Sequence, residues 1–207
     1  IRFPANDTIT AETAGSERIR IDSIGRLLVG GYSSASIVNA GGIESLNGTG
    51  ANFGVGRFIA SNVGPDIILA KSRNATLGSH TIVQDDDNIG TIKFRGSDGG
   101  EWVDAATIKG EVDGTPGDDD MPGRLIFSTT ADGASSSTEA MRITANGDIG
   151  INADTPRTIT GYKGITINHA THGGFVQFQD NGTNTSSVLG GPNSLDITTQ
   201  TAISIKF

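Results

Sequence analysis

The sequence contains no cysteine, which excludes both a disulfide framework and a thiolate metal site. Aromatic residues make up only 5% of the 207 residues, and charged residues make up 18%, against about 25% in a typical domain. Few large side chains are therefore available to seal a thick core. We expect thin layers of structure, with much of their burial supplied by neighbouring chains.

Three further absences narrow the class of protein. No stretch approaches the ~18 consecutive apolar residues of a membrane span, so no membrane insertion is expected. The net charge of −8 is opposite in sign to the basic excess typical of nucleic-acid-binding proteins, so we expect no nucleic-acid partner. The chain starts at Ile1 with neither Met nor a signal pattern, which predicts an interior piece or a processed product of something longer.

What the sequence does contain is glycine, isoleucine and a repeat. Glycine accounts for 30 of the 207 residues, about twice the usual share of roughly 7%. Isoleucine outnumbers leucine by 24 to 8, and β-branched side chains favour a pleated sheet over a helix. We place no helix anywhere, and the composition predicts an all-β fold of short strands.

The repeat consists of Ser16–Gly30 and Thr138–Asn152, which are 122 residues apart. Its two copies share the following identical or apolar positions: Glu17/Glu139, Ile19/Met141, Arg20/Arg142, Ile21/Ile143, Gly25/Gly147, Leu27/Ile149 and Val29/Ile151. A weaker third copy keeps only Leu195, Ile197, Ile203 and Ile205. Duplication of one unit is typical of a modular, extended architecture.

Each copy alternates apolar and polar residues, turns at a glycine and alternates again, which predicts a β-hairpin. Ile19 and Ile21 are expected to point inward, with Arg20 pointing outward. Glu17 and Arg20 recur in both copies, so we expect an ion pair on the flank of each hairpin, contributing roughly 0–1 kcal/mol if exposed.

Further strands are predicted by alternation and by turn residues between them. We place them at Ile67–Ala70, where a short helix is the weaker alternative, and at Thr91–Arg95, Glu101–Val112, Arg124–Thr129, Lys163–Asn168, Phe175–Gln179 and the run from Leu195. The repeat and these strands divide the sequence into three predicted segments: an N-terminal polar connector (1–15), the first repeat hairpin with a β-rich segment (16–137), and the second repeat hairpin with a shorter β segment (138–207).

Acidic loops and histidines are the candidate metal ligands. Asp85-Asp86-Asp87-Asn88 and Asp118-Asp119-Asp120, which Asp113 could join, offer the oxygen ligands that Ca²⁺ prefers, but neither fits the EF-hand pattern. A solvated acidic turn is the favoured interpretation. His169 and His172 could bind a metal only on a helix or at an oligomer axis, and a loop is favoured there. We therefore predict no metal, no cofactor and no cofactor-binding residue.

No catalytic motif is present. The sequence has no Gly-x-Ser-x-Gly elbow and no phosphate-binding loop ending in Lys-Ser/Thr, so we predict no catalytic residue and no enzymatic activity. Trp102, the single tryptophan, lies beside acidic residues and could stack on a sugar ring, although a buried packing role is favoured.

The repeat units Glu17–Val29 and Glu139–Ile151 resemble structural repeats of bacteriophage tail-fibre proteins. So do three intervening segments: Pro65–Arg73 (PDIILAKSR), Gly90–Asp98 (GTIKFRGSD) and Asp113–Gly133 (DGTPGDDDMPGRLIFSTTADG). The match covers most of Ser16–Pro156, with Ala140 and Ile19 departing from the usual Arg and Met. In that family such runs often precede a C-terminal intramolecular chaperone domain, which is expected to be cleaved, to lie outside this chain or to be absent.

The resemblance implies an elongated, intertwined homotrimeric β-fibre in the virion tail, outside the cell, that supports attachment to the host. Its implied partners are further copies of itself, other virion tail proteins and host surface glycans. Two other functions remain open at this point. A cellular surface adhesin or extracellular filament subunit would be built of similar β-layers, and a polysaccharide-degrading tailspike would carry catalytic carboxylates in a groove.

Overall fold

Every regular element in the described part of the chain is a β-strand. The computed structural model describes residues 8–23, 27–29, 43–45, 53–181, 183–191 and 195–199, and no helix forms within them. The strands are β1 (Ile9–Thr13), β2 (Ser16–Ile21), β3 (Leu27–Val29), β4 (Ile43–Ser45), β5 (Asn88–Ser97), β6 (Trp102–Val112), β7 (Gly123–Thr129), β8 (Thr138–Ile143), β9 (Ile149–Ile151), β10 (Ile165–Ile167), β11 (Gly174–Asp180), β12 (Thr183–Gly190) and β13 (Leu195–Thr199). The predicted all-β class is confirmed.

The chain divides into two compact units, Ile1–Ile68 and Leu69–Phe207. The first unit contains a four-stranded sheet in the order β1-β2-β3-β4. The second contains a six-stranded sheet in the order β10-β9-β8-β7-β6-β5, here called the main sheet, and a three-stranded sheet in the order β11-β12-β13. The division into 1–15, 16–137 and 138–207 stays a prediction.

The repeat forms the two predicted hairpins, and their registers match. Ile19 pairs with Val29 in β2–β3, and Met141 pairs with Ile151 in β8–β9, again 122 residues apart. The repeated glycine is explained at Gly147, whose φ of +78° in the turn is a conformation that glycine adopts without strain. The first turn was predicted at Ser23–Gly25, and most of it lies outside the described residues.

The structural repeat is longer than the sequence repeat. In each unit a fourth strand pairs in parallel with the second strand of the hairpin: Leu27 with Ile43, and Ile149 with Ile165. The connections have equal length, 30–42 and 152–164, so the spacing of 122 residues continues through this strand. Sequence similarity between the two connections is too low to reveal this.

A β-bulge occurs at the same place in the first strand of both hairpins, in the pairing of β2 with β1 and of β8 with β7. The extra residue is Arg18 in the first and Ala140 in the second, since the strand register shifts by one residue there. One extra residue reverses the alternation of faces beyond it. Glu17 therefore lies on the same face as Arg20, three positions away, and Glu139 likewise shares a face with its arginine partner.

The core is thin, as the composition predicts. The buried apolar side chains among the described residues are Leu28, Val83, Val112, Ile126 and Ala153. The predicted direction of Ile19 and Ile21 is wrong for a single chain: they are 42% and 40% exposed. The alternation is correct, but the covered face of this sheet is the one that carries Leu28, and the isoleucine face is open.

Most of the other predicted strands form, one prediction is wrong, and three strands, β1, β4 and β12, were not predicted. No strand forms at Ile67–Ala70, where Ile67 and Ile68 are 72% and 80% exposed. Leu69 occupies the space above Gly90, where an added Cβ would lie 2.5 Å from the Cβ of Leu69. Strand β12 was missed because its first half is polar. The third copy of the repeat is described only as far as β13, and Ile203 and Ile205 lie outside the described residues.

Candidate functional site

One face of the main sheet is apolar and open. Strand register and alternation place eleven side chains on it: Ile92, Phe94, Ile108, Leu125, Phe127, Met141, Ile143, Ile149, Ile151, Ile165 and Ile167. We call this set the apolar face. Ile92 is 50% exposed and Phe94 is 53% exposed, and the side chains of Leu125, Ile151 and Ile165 are also exposed. A contiguous exposed apolar surface of this kind marks an interaction site.

The sheet of the first unit has the same asymmetry. Ile9, Ile19, Ile21 and Val29 are exposed on one face, whereas Leu28, on the other face, is 1% exposed. Two units built from the same repeat therefore leave the same face uncovered. Because the pattern occurs twice, it is a property of the repeated module.

The opposite face of the main sheet, here called the charged face, carries ion pairs. Arg142 donates to both carboxylate oxygens of Glu139, at 2.5 and 2.6 Å. Arg20 makes the same bidentate contact with Glu17 in the first unit, at 2.7 and 2.8 Å, so the predicted pair is present in both copies. The hydrogen bond from Arg20 holds the pKa of Glu17 below its usual value.

Among the described residues, Arg124 is the centre of the largest ion-pair cluster. It donates to Glu111 at 2.7 and 3.0 Å, to Asp113 at 3.1 Å, and to Asp86. Both Arg124 and Glu111 have side chains only 10% exposed. Burial alone would raise the pKa of Glu111, but Lys109 and Arg124 together lower it, so the carboxylate stays ionised.

The acidic turn at Asp85–Asp87 is bound to the chain's own donors. Asp85 accepts a hydrogen bond from the backbone N–H of Gly114 at 2.7 Å, and Asp87 accepts from Arg73 at 2.6 and 2.8 Å. Lys71 lies 2.9 Å from Asp87 as well. The hydrogen bond from Arg73 is the main reason that the pKa of Asp87 is far below its ordinary value.

The other candidate metal ligands do not converge in the described residues. No group of three His, Asp or Glu side chains there could hold a metal ion. His169 and His172 have ring centroids 5.3 Å apart in an exposed turn, and the hydroxyl of Thr171 lies 2.6 Å from Nδ1 of His172. The histidine loop is therefore present as expected.

A buried carboxylate that the sequence did not single out organises the loop after the second hairpin. Asp148 is 1% exposed and accepts hydrogen bonds from the N–H of Gly164 at 2.8 Å and from Oγ1 of Thr158 at 3.0 Å. These donors lower its pKa. The isolated acid between Gly147 and Ile149 gave no sequence signal, since its partners are 10 and 16 residues away.

A cleft lies at the end of the β5–β6 hairpin. Its volume is about 320 Å³, and it is lined by Arg95, Asp98, Glu101, Trp102, Asp104 and the serines at 135–137, together with Val103. Trp102 is 38% exposed. The favoured prediction, a buried packing role for Trp102, is therefore wrong, because a large part of the residue is open to solvent.

Strand register explains why Trp102 lies there. Regular alternation along β6 would place Trp102 on the same face as Ile108, but a bulge at Ala105 reverses the alternation. Asp104 and Trp102 are thereby transferred to the charged face. The ion pairs of Asp104 with Lys93 and Arg95, at 2.7 and 2.6 Å, verify this orientation.

No helix in the described residues is long and apolar enough to cross a membrane. No protein-family model and no curated protein matches the chain.

Two solved structures similar to this chain come from a phage tail fibre. The carboxy-terminal domain of the bacteriophage T5 L-shaped tail fibre matches with a TM-score of 0.55 and 16% identity, covering 72% of this chain and 64% of that one. The same domain with its intra-molecular chaperone domain matches with a TM-score of 0.56 and 16% identity, covering 82% of this chain and 50% of that one. The chain thus spans less than two thirds of either structure. The resemblance predicted from the sequence is confirmed at the level of the fold, which this chain shares with the carboxy-terminal domain of a phage tail fibre.

Proposed function

We propose that the chain is a structural segment of a phage tail fibre, located in the virion tail, that supports attachment of the virion to its host. The apolar face is the observation that carries the proposal. A single chain leaves this face open to water while it covers the charged face, which is the reverse of what a stable isolated domain does.

Further copies of the chain are the partners that fit this face. Three chains that pack their apolar faces around a common axis would cover the exposed isoleucines and phenylalanines and would leave the charged faces outside. The number of three chains is taken from the resemblance to tail-fibre repeats. That the apolar face must be covered by a partner is inferred from the exposure of side chains such as Ile92 and Phe94. Exposed strand edges, such as that of β5, favour the same association.

The charged face is open only near the end of the β5–β6 hairpin, where the side chain of Lys93 is 46% exposed and Trp102 is 38% exposed. In the proposed assembly this open part would face outward, and identical surfaces on three chains would present the same weak site several times. Multivalent contact of this kind raises avidity without a tight individual site. The proposed partners beyond the chain itself are other virion tail proteins and host surface glycans.

The proposed role involves no catalysis. Its support is the absence of a recognisable nucleophile or phosphate-binding motif in the sequence. The corresponding assay incubates the chain with host polysaccharide and measures reducing ends; we expect no release over the buffer control. Release by the purified chain would favour the tailspike alternative.

The native mass of the purified chain tests the assembly. We expect three times the chain mass of 21.3 kDa, measured by sedimentation velocity with light scattering. A folded monomer or a dimer would overturn the homotrimer. Binding of the same preparation to host cells, competed by intact phage, tests the adhesive role separately from the assembly.

A further inference from the structure

We propose that the cleft around Trp102 is a subsite for one neutral hexose unit of a cell-surface glycan. The inference rests on the proposed function, since it names the ligand class and the residues that would serve attachment. Its chemistry, however, is carried by the cleft itself. The volume of about 320 Å³ lies at the lower end of the range of small-molecule sites, which suits a single sugar ring.

The cleft remains accessible when the apolar faces are covered. The bulge at Ala105 places Trp102 on the charged face, opposite Ile108 and the rest of the apolar face. The assembly that we propose therefore buries one side of the hairpin and leaves the side with the indole exposed. A regular strand would have turned this indole into the interface.

The floor of the cleft is held rigidly before any ligand arrives. Asp98 accepts hydrogen bonds at Oδ1 from the backbone N–H groups of Gly100 and Glu101, both at 2.7 Å. The backbone N–H of Asp98 donates to the carbonyl of Glu101 at 3.1 Å, which closes the turn. Two residue pairs beyond Ser97 and Trp102 along the hairpin, Arg95 is paired with Asp104 at 2.6 Å. A preorganised site spends less free energy on ordering its own side chains when it binds.

The groups around the cleft match a sugar ring. An indole offers an apolar surface for the C–H face of a pyranose, and carboxylates and serine hydroxyls offer hydrogen-bond partners for its hydroxyls. The carboxylate of Glu101 makes no hydrogen bond or ion pair within the part of the chain that the structure describes, so its acceptors are available.

Charge selects against acidic sugars. Lys93 and Arg95 share Asp104, so these three groups carry one net positive charge, and with Asp98 and Glu101 the net charge around the cleft is −1. The hydrogen bonds from the N–H groups of Glu101 and Gly100 lower the pKa of Asp98, so it stays ionised at neutral pH. A uronic acid would meet like charge at close range, whereas a neutral hexose would not.

Titration of the intact assembled chain with methyl glycosides tests the proposal, using intrinsic fluorescence because Trp102 is the single tryptophan. The probes are the methyl glycosides of glucose, galactose, mannose and N-acetylglucosamine, with methyl glucuronide as the acidic comparison. We expect a saturable change with at least one neutral glycoside, with a Kd on the order of 1 mM, and none with the glucuronide. If no neutral glycoside gives a saturable change at concentrations up to about 50 times that Kd, the proposal is overturned.

Variants separate binding from folding, with saturation-transfer NMR as the readout that needs no tryptophan. We expect Trp102→Ala to weaken binding at least about tenfold, Trp102→Phe to retain part of it, and Glu101→Gln to weaken it while admitting the glucuronide. Tyr162→Ala is the matched control, because Tyr162 is an exposed aromatic residue outside the cleft. Equal binding by Trp102→Ala and the wild type would place the sugar elsewhere and overturn the assignment.

The mass measurement distinguishes this inference from the proposed function. A trimer that binds no glycoside overturns the subsite and leaves the fibre assembly standing. A glycoside-binding protein whose mass is not that of a trimer overturns the assembly and leaves the subsite standing.

Discussion

A single charge placed on the apolar face of the main sheet should weaken self-association without unfolding the chain. Ile92 is the position of choice, since it lies on the edge strand β5 and half of its side chain is already exposed. Glutamate there costs the single chain little. Thr91→Glu is the matched control, because it adds the same charge one residue away, on the opposite face, where Lys109 lies across the strand pair.

The expected magnitude follows from the exposure. Full burial of an isoleucine side chain contributes about 1.5–3 kcal/mol, so covering the exposed half of Ile92 contributes about 1 kcal/mol per chain. Three chains lose about 3 kcal/mol together, and the cost of burying a carboxylate adds to this. Since every 1.4 kcal/mol is a factor of ten, trimer formation should be at least about 100-fold weaker.

Sedimentation velocity over a dilution series measures the effect. Trimer formation depends on the square of the free chain concentration, so a 100-fold weaker equilibrium moves the assembly midpoint about tenfold upward in concentration. Far-UV circular dichroism on the dissociated fraction should still report β-structure. If Ile92→Glu and Thr91→Glu assemble at the same concentration, the apolar face is not the contact surface, and the reasoning is refuted.

Three further predictions test the interior contacts, the first two by chemical denaturation and the third by thermal melts. Arg124→Ala leaves Glu111 and its neighbours without their shared cation and should lower the free energy of unfolding by about 2–3 kcal/mol. The control Arg18→Ala introduces the residue type that Ala140 supplies at the second bulge, and it should change the free energy of unfolding by less than about 0.5 kcal/mol. Equal effects of the two variants would contradict this ranking. Gly150→Ala should cost about 1–3 kcal/mol, because its Cβ would lie 2.2 Å from the carbonyl oxygen of Ala153, and a neutral result would mean that this loop is not held as described. Carboxylates such as Glu111 have a pKa in the folded chain below the unfolded value of about 4. The stability that they contribute is therefore complete above about pH 5 and is lost as the pH falls through the folded pKa. Melting temperatures that stay constant from pH 7 to 3 would contradict this sign.

The hairpins could be predicted because their signals are local. Alternation, a glycine at the turn and the repeated Glu and Arg specify β8–β9 from within fifteen residues, and the ion pair of Glu139 with Arg142 follows from the same stretch. The parallel partner β10 lies beyond a connection of 13 residues (152–164) with no shared sequence pattern. The contacts of Asp148 join residues 10 and 16 positions apart, and those of Arg124 join residues 11 to 38 positions apart. Single pairings of that kind carry no periodicity that a sequence could display.

The buried face of the first unit's sheet was predicted wrongly from the sequence. Ile19 and Ile21 were expected to be inside because apolar side chains belong in a core. The structure keeps the alternation but covers the other face of the sheet. For thin β-layers, alternation predicts which side chains share a face, but it does not predict which of the two faces is covered.

The β-bulges connect these observations into one design. At Arg18, Ala140 and Ala105 a single extra residue reverses the alternation near a strand end. In each case the reversal moves a carboxylate off the apolar face and onto the charged face, where an arginine pairs with it: Glu17 with Arg20, Glu139 with Arg142, and Asp104 with Arg95. An uncompensated carboxylate on a face that self-associates would be costly. The bulges thus keep the apolar face free of charge, and at β6 the same shift places Trp102 on the charged face, where the proposed assembly would leave the proposed sugar subsite accessible.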